Sequence, residues 1–182
     1  IPKKDSFCAK DILDRIMNIT SPGPCNKLFR KDFIKKHEIT FAHLNNSEDV
    51  PFTCYAISLA ERISCFEETV LHIRRGHDTN LEATKDQNSL EFYEAFLILK
   101  ARLIQSGIYK TVEQSFVNRA LDSCVYQLES MKTEFGKKEV TDLLIAEAST
   151  PPLLTGKAPK SLIIFFNIGT LNKLSFAIKF IG

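Results

Sequence analysis

Two long amphipathic stretches separated only by Ser106-Gly107 constrain this chain more than any other feature in it. Before the break, over roughly 88–105, Leu90, Tyr93, Leu97, Ala101 and Ile104 recur along one side of a helix. Phe92, Phe96, Leu99 and Leu103 recur along a second side next to it. A band this wide belongs on a helix buried on more than one side. After the break, Val112, Phe116, Val117, Ala120, Leu121, Cys124, Leu128 and Met131 mark a helix from Ile108 to about Phe135. So short a link forces the two helices antiparallel.

The flanks are less regular. The spacing of Ala9, Ile12, Leu13, Ile16 and Met17 predicts a helix over Asp5–Asn18. Ser21-Pro22-Gly23-Pro24 stops it, because proline removes a donor and restricts the residue before it. Tyr55–Arg75 has helical spacing at Ile57, Ala60, Ile63 and Val70, with Gly76 as its stop. Gly136 reads as the end of the long helix, and 136–160 reads as loop, with Pro151, Pro152 and Pro159.

The tail 161–182 is apolar but interrupted by Asn167, Gly169, Asn172, Lys173 and Lys179. It is too broken to span a membrane, which needs about 20 mostly apolar residues. It is either a fourth helix or, from its β-branched and aromatic content, strand. The connections therefore run long, short, long, as in an up-up-down-down four-helix bundle. The expected fold is all-α, one helical domain over 1–182, with 161–182 as an atypical or truncated fourth helix.

Composition excludes several function classes. With 44% hydrophobic and 25% charged residues the chain reads as globular. A net charge of +2 sets up no demand for nucleic acid. The basic run Lys27, Arg30, Lys31, Lys35, Lys36 reads in two ways, as a solvated loop or as a cluster that binds heparan sulfate. No glycine-rich phosphate loop, HExxH pair or nucleophile signature is present, so neither an enzyme nor a cofactor or metal is expected. The first residue is Ile1, which fits a chain cut from a secreted precursor.

The five cysteines, at 8, 25, 54, 65 and 124, lack the spacing of a zinc site or redox motif. In an oxidising compartment an odd count leaves one thiol free or bonded to another chain. A helix over 54–65 would be about 18 Å long, whereas a disulfide needs Cα atoms about 5.5 Å apart. Cys54 then cannot reach Cys65, and Cys8 cannot easily reach Cys25 past a helix between them. Cys124 lies on the apolar stripe of its helix and reads either as a buried thiol or as part of an intrachain bond. Cys65 lies between Arg62 and Glu67-Glu68, in polar surroundings expected to be exposed. Asn18-Ile19-Thr20 and Asn45-Asn46-Ser47 are sequons for N-glycosylation.

Cys25, His37-Glu38-Ile39-Thr40, Val50, Cys54, Ser64-Cys65 and Glu67-Glu68-Thr69 occur in the order found in the interleukin-12 alpha chain family of four-helix cytokines, which this segment resembles. Phe92-Tyr93-Glu94-Ala95-Phe96-Leu97 and Gln114 to Met131 are similar as well. The resemblance implies a secreted cytokine subunit that pairs with a receptor-like beta chain and signals to immune cells through cell-surface receptors. It implies that Cys65 makes the interchain disulfide and that Cys8, Cys25 and Cys54 bond within the chain. The family's fourth helix carries an arginine that enters a pocket on the beta chain, and Lys179 lies near that place. Two other classes remain open: a secreted helical lipid or pheromone carrier, whose wide apolar bands would enclose a cavity, and an intracellular helical adaptor with reduced cysteines.

Overall fold

A computed structural model describes residues 6–69, 71–72, 85–149, 163–166 and 176–179. The described residues are mostly helical. Helix α1 is Lys31–Lys36, α2 Asp49–Leu59, α3 Glu91–Gln105, α4 Tyr109–Ser130 and α5 Glu134–Ser149. Strands β1, Ile163–Phe166, and β2, Phe176–Lys179, pair antiparallel. Short 3-10 turns occur at Ala9–Asp11, Ile16–Asn18, Pro24–Asn26 and Lys85–Asn88.

The α3–α4 pair forms as its sequence requires. Gly107 takes φ +74°, a left-handed conformation that costs glycine little and reverses the chain. Phe96 and Phe116 lie at similar distances along the chain from that turn, and their rings meet edge to face at 5.7 Å. Of the two stripes on α3, that of Phe92, Phe96, Leu99 and Leu103 is buried, while Leu90 and Ile104 of the other are exposed. Val112, Phe116, Ala120, Cys124 and Leu128 face the core from α4. Helix α2 lies against α3 and contributes Val50, Cys54 and Ile57.

A satellite cluster lies beside this core. Ile39, Phe52 and Ala56 are buried there, with Phe29, Phe33 and Ile34 packed on them. Phe52 stacks on Phe41 at 4.1 Å and meets Phe29 edge on at 5.3 Å. The second part of the basic run, Lys31–Lys36, forms the short helix α1, while Lys27 to Arg30 is irregular.

Four expectations are corrected. The helix over Asp5–Asn18 is replaced by two 3-10 turns, although Ala9, Ile12, Ile16 and Met17 are buried. Within Tyr55–Arg75 the helix begins earlier and ends at Leu59, because Ala60 turns extended at ψ 122° and its carbonyl accepts from the Ala9 N–H at 3.0 Å. The helix from Ile108 ends at Ser130. The Asp86 carboxylate accepts from the N–H groups of Lys132 at 3.0 Å and Thr133 at 2.5 Å, and so holds the chain in a break. Thr133 then caps α5, accepting from the Gly136 N–H at 3.0 Å.

Gly136 thus lies in the first turn of α5 and does not end a helix, and the expected loop over 136–160 is instead helical as far as Ser149. A side chain there would crowd Met131 and Thr133 at 3.2 Å. The fourth correction concerns the tail, where β1 and β2 pair Ile163 with Lys179 through Phe166 with Phe176 in place of a fourth helix. Ile163, Ile164, Phe165 and Phe166 favour strand and lack a helical stripe. The rest of 150–182 lies outside the described residues, as does Gly76.

Candidate functional site

The stretch that follows α2 is pinned before it becomes exposed. Phe7 and Ile63 exchange backbone hydrogen bonds of 2.9 and 2.6 Å, and Ala9 bonds Ala60 just beyond. This two-point pairing fixes 60–63 against the N-terminal segment. From Ser64 to Thr69 every residue is exposed. Cys65 is an exposed free thiol, and its neighbour Phe66 shows 55% of its surface to solvent. An exposed thiol is open to exchange with another chain, and an exposed ring beside it offers apolar surface to whatever docks there.

The other cysteines occupy different environments. Cys54 is buried in the middle of α2, and burial pushes its thiol up to about 12, while Arg119 nearby pulls the other way. Its carbonyl accepts from the Ser58 hydroxyl at 2.7 Å. Cys124 is buried on the inner side of α4. Cys8 is half-buried, and its N–H donates to Asp11 at 3.0 Å. Cys25, in the Pro24–Asn26 turn, is a second exposed thiol, which polarity of the flanking sequence did not single out.

The Cys25 turn is held from inside by Lys27. Its ammonium donates to the carbonyls of Ser21 and Gly23 at 2.8 and 2.7 Å and to Asn26 Oδ1 at 2.7 Å. Burial draws that ammonium below the usual lysine range, against the opposing pull of Cys54 and Asp49. Asp49 is raised from the ordinary carboxylate value, first by burial and then by neighbouring Glu48.

The two sequon asparagines also differ. Asn18 is half-buried against α4: its amide donates to Asp122 at 3.1 Å and its carbonyl oxygen accepts from the Ser115 hydroxyl at 3.2 Å. Asn45 is exposed, with its amide on Glu91 at 2.7 Å. Lys179 falls at the end of β2, opposite Ile163. Among the described residues, no hydrogen bond joins Cys65 to either sequon: Asn18 bonds Asp122 and Ser115, and Asn45 bonds Glu91.

Among the described residues no group of His, Cys, Asp and Glu is arranged to hold a metal ion, and no helix is long and apolar enough to cross a membrane. A comparison with family models, with curated proteins and with solved structures finds no match.

Proposed function

We propose that this chain is a secreted helical cytokine subunit of the interleukin-12 alpha kind, joined by a disulfide from Cys65 to a receptor-like beta chain. The observation that carries the reading is the exposure of Cys65, with Phe66 beside it, on a stretch pinned at Ile63. A pinned backbone presents the thiol at a fixed place, and an exposed ring next to it gives a partner something to pack on. The bond then holds the pair by raising the effective concentration of one chain near the other. The antiparallel α3–α4 pair, with α2 packed on α3, supports a helical cytokine core in which 3-10 turns stand in place of the expected first helix and strands in place of the fourth. The pair so formed would engage cell-surface cytokine receptors.

In the same reading Cys8, Cys25, Cys54 and Cys124 serve intrachain bonds or remain thiols, Asn45 and Asn18 are the glycan acceptors, and Lys179 contacts the beta chain. The experiment is co-secretion with an interleukin-12 beta chain, resolved on a non-reducing gel. Cys65→Ser should abolish the covalent heterodimer, while Cys25→Ser should preserve it. A covalent heterodimer that survives Cys65→Ser and disappears with Cys25→Ser would reassign the bond to the other exposed thiol. The absence of any association with a beta chain would overturn the cytokine reading itself.

A further inference from the structure

Helix α1 carries its apolar and its charged residues on opposite sides. Phe33 and Ile34 turn inward onto the satellite cluster. Lys31, Lys35 and Lys36 are exposed, with exposed Arg30 just before the helix. Lys31 and Lys35 are four apart, so like charges sit on the same side of the helix, which costs stability. Three lysines elsewhere on the surface are neutralised by a nearby acid, Lys110 by Glu113, Lys137 by Glu134 and Lys138 by Asp142, while lysines without an ion pair, such as Lys10, stand singly. Among the described residues, none of the four cations at α1 has such an ion pair. With Lys27, and against Asp32, the stretch 27–36 has a surplus of four positive charges, more than the +2 of the whole chain.

We infer that Arg30, Lys31, Lys35 and Lys36 on α1 form a docking surface for a sulfated polysaccharide. About five residues separate the two cation pairs, which at 1.5 Å per residue places them about 7 Å apart along the helix. An extended polyanion can meet both pairs at once, and each contact releases bound counterions. A lipid surface fits less well. Insertion needs a continuous apolar face, and that of α1 is already spent on the satellite cluster of Phe52 and Ile39, leaving Leu28 and the outer side of Phe41 exposed nearby. Single-stranded nucleic acid wants open aromatic rings for stacking, whereas Phe29 and Phe33 pack against the satellite cluster. The proposal shares with the cytokine reading only the extracellular setting, and binding is measured on this chain alone, so either can fail without the other.

The test is retention of the purified full chain on immobilised heparin, read as the NaCl concentration of elution. The triple variant Lys31→Gln, Lys35→Gln, Lys36→Gln is compared with Lys110→Gln, Lys137→Gln, Lys138→Gln, which removes the same charge elsewhere. The α1 variant should pass through at about 0.15 M salt, where surface charges are screened beyond about 8 Å, while the control elutes near the wild-type position. Arg30→Gln and Lys35→Gln alone should each lower the elution salt, which keeps the test open if the triple variant misfolds. Equal losses in both triple variants, or wild-type elution of the α1 variant, would overturn the proposal. So would retention on phosphatidylserine vesicles without retention on heparin.

Discussion

The N-terminal segment 6–26 and the α3–α4 pair carry similar helical periodicity, yet only the second is helical. In α3 and α4 the backbone satisfies itself, and the tight turn at Gly107 brings the two apolar stripes together. In the N-terminal segment the backbone is satisfied from outside. The Met17 N–H donates to the buried Ser115 hydroxyl at 2.7 Å. Arg119 donates to the carbonyls of Met17 at 2.8 Å and Thr20 at 2.7 Å. Residues 7 and 9 bond the chain beyond α2. Apolar spacing thus specifies which side chains are buried, and the conformation depends on who supplies the hydrogen bonds.

This contrast can be broken from either side. The largest effect should come from Phe116→Ala. The ring is fully buried between Phe96 and Tyr109, and its loss should cost about 3–5 kcal/mol in denaturant unfolding. A cost near that of a surface substitution would mean that α3 and α4 do not share this core.

Alkaline pH probes the α2 side. The buried Cys54 thiol is held at about 12 against an ordinary value of 9.0, so the folded state keeps a proton that the unfolded chain releases. Stability should be full below about pH 9 and should fall as pH rises from there toward 12. In Cys54→Ala this part of the alkaline loss should vanish, and an unchanged profile would place it elsewhere.

Ser115→Ala tests the external supply of hydrogen bonds. It strands the buried Met17 N–H and should cost about 1–3 kcal/mol, with faster hydrogen exchange at Met17. Undiminished protection there would show that the amide has another partner. Gly107→Ala meets no atom within 4 Å, so its penalty is backbone strain alone, about 1–2 kcal/mol. Cys65→Ser, on the exposed stretch, should leave the melting of the isolated chain within about 0.5 kcal/mol of wild type. A larger shift would mean that the thiol is not exposed.

How far these elements were legible in the sequence follows from the same contrast. Helices α3 and α4 were readable because stripe, turn and partner are contiguous. The end of α4 was not, because it is fixed by Asp86, a residue of the Lys85–Asn88 turn remote in sequence from Met131. Helix α5 was hidden by Gly136, whose missing side chain serves close packing and not a helix stop. The exposure of Cys65 was readable from its polar flanks. The exposure of Cys25 was not, since Pro24 and Lys27 place it through a turn that spacing does not reveal. The cation face of α1 was visible as a basic run, but its lack of neutralising acids was apparent only from the structure, where Lys110, Lys137 and Lys138 are paired and the α1 cations are not.

The hydrogen bond between Met17 and Ser115 also sets an order of events. Its partners are 98 residues apart, and at about 5–20 residues per second a ribosome takes about 5–20 s to bridge that gap. The segment around Met17 is made before α4 and completes its hydrogen bonding only once Ser115 and Arg119 have been synthesised. Nascent chains arrested before Ser115 should therefore leave Met17 open to oxidation, while chains arrested well past Ser130 should protect it. Equal protection in both would show that the segment settles before α4 exists. Until then residues 7 and 9 can pair only with the chain beyond α2, and the Met17 end of the segment lacks the hydroxyl that receives its N–H.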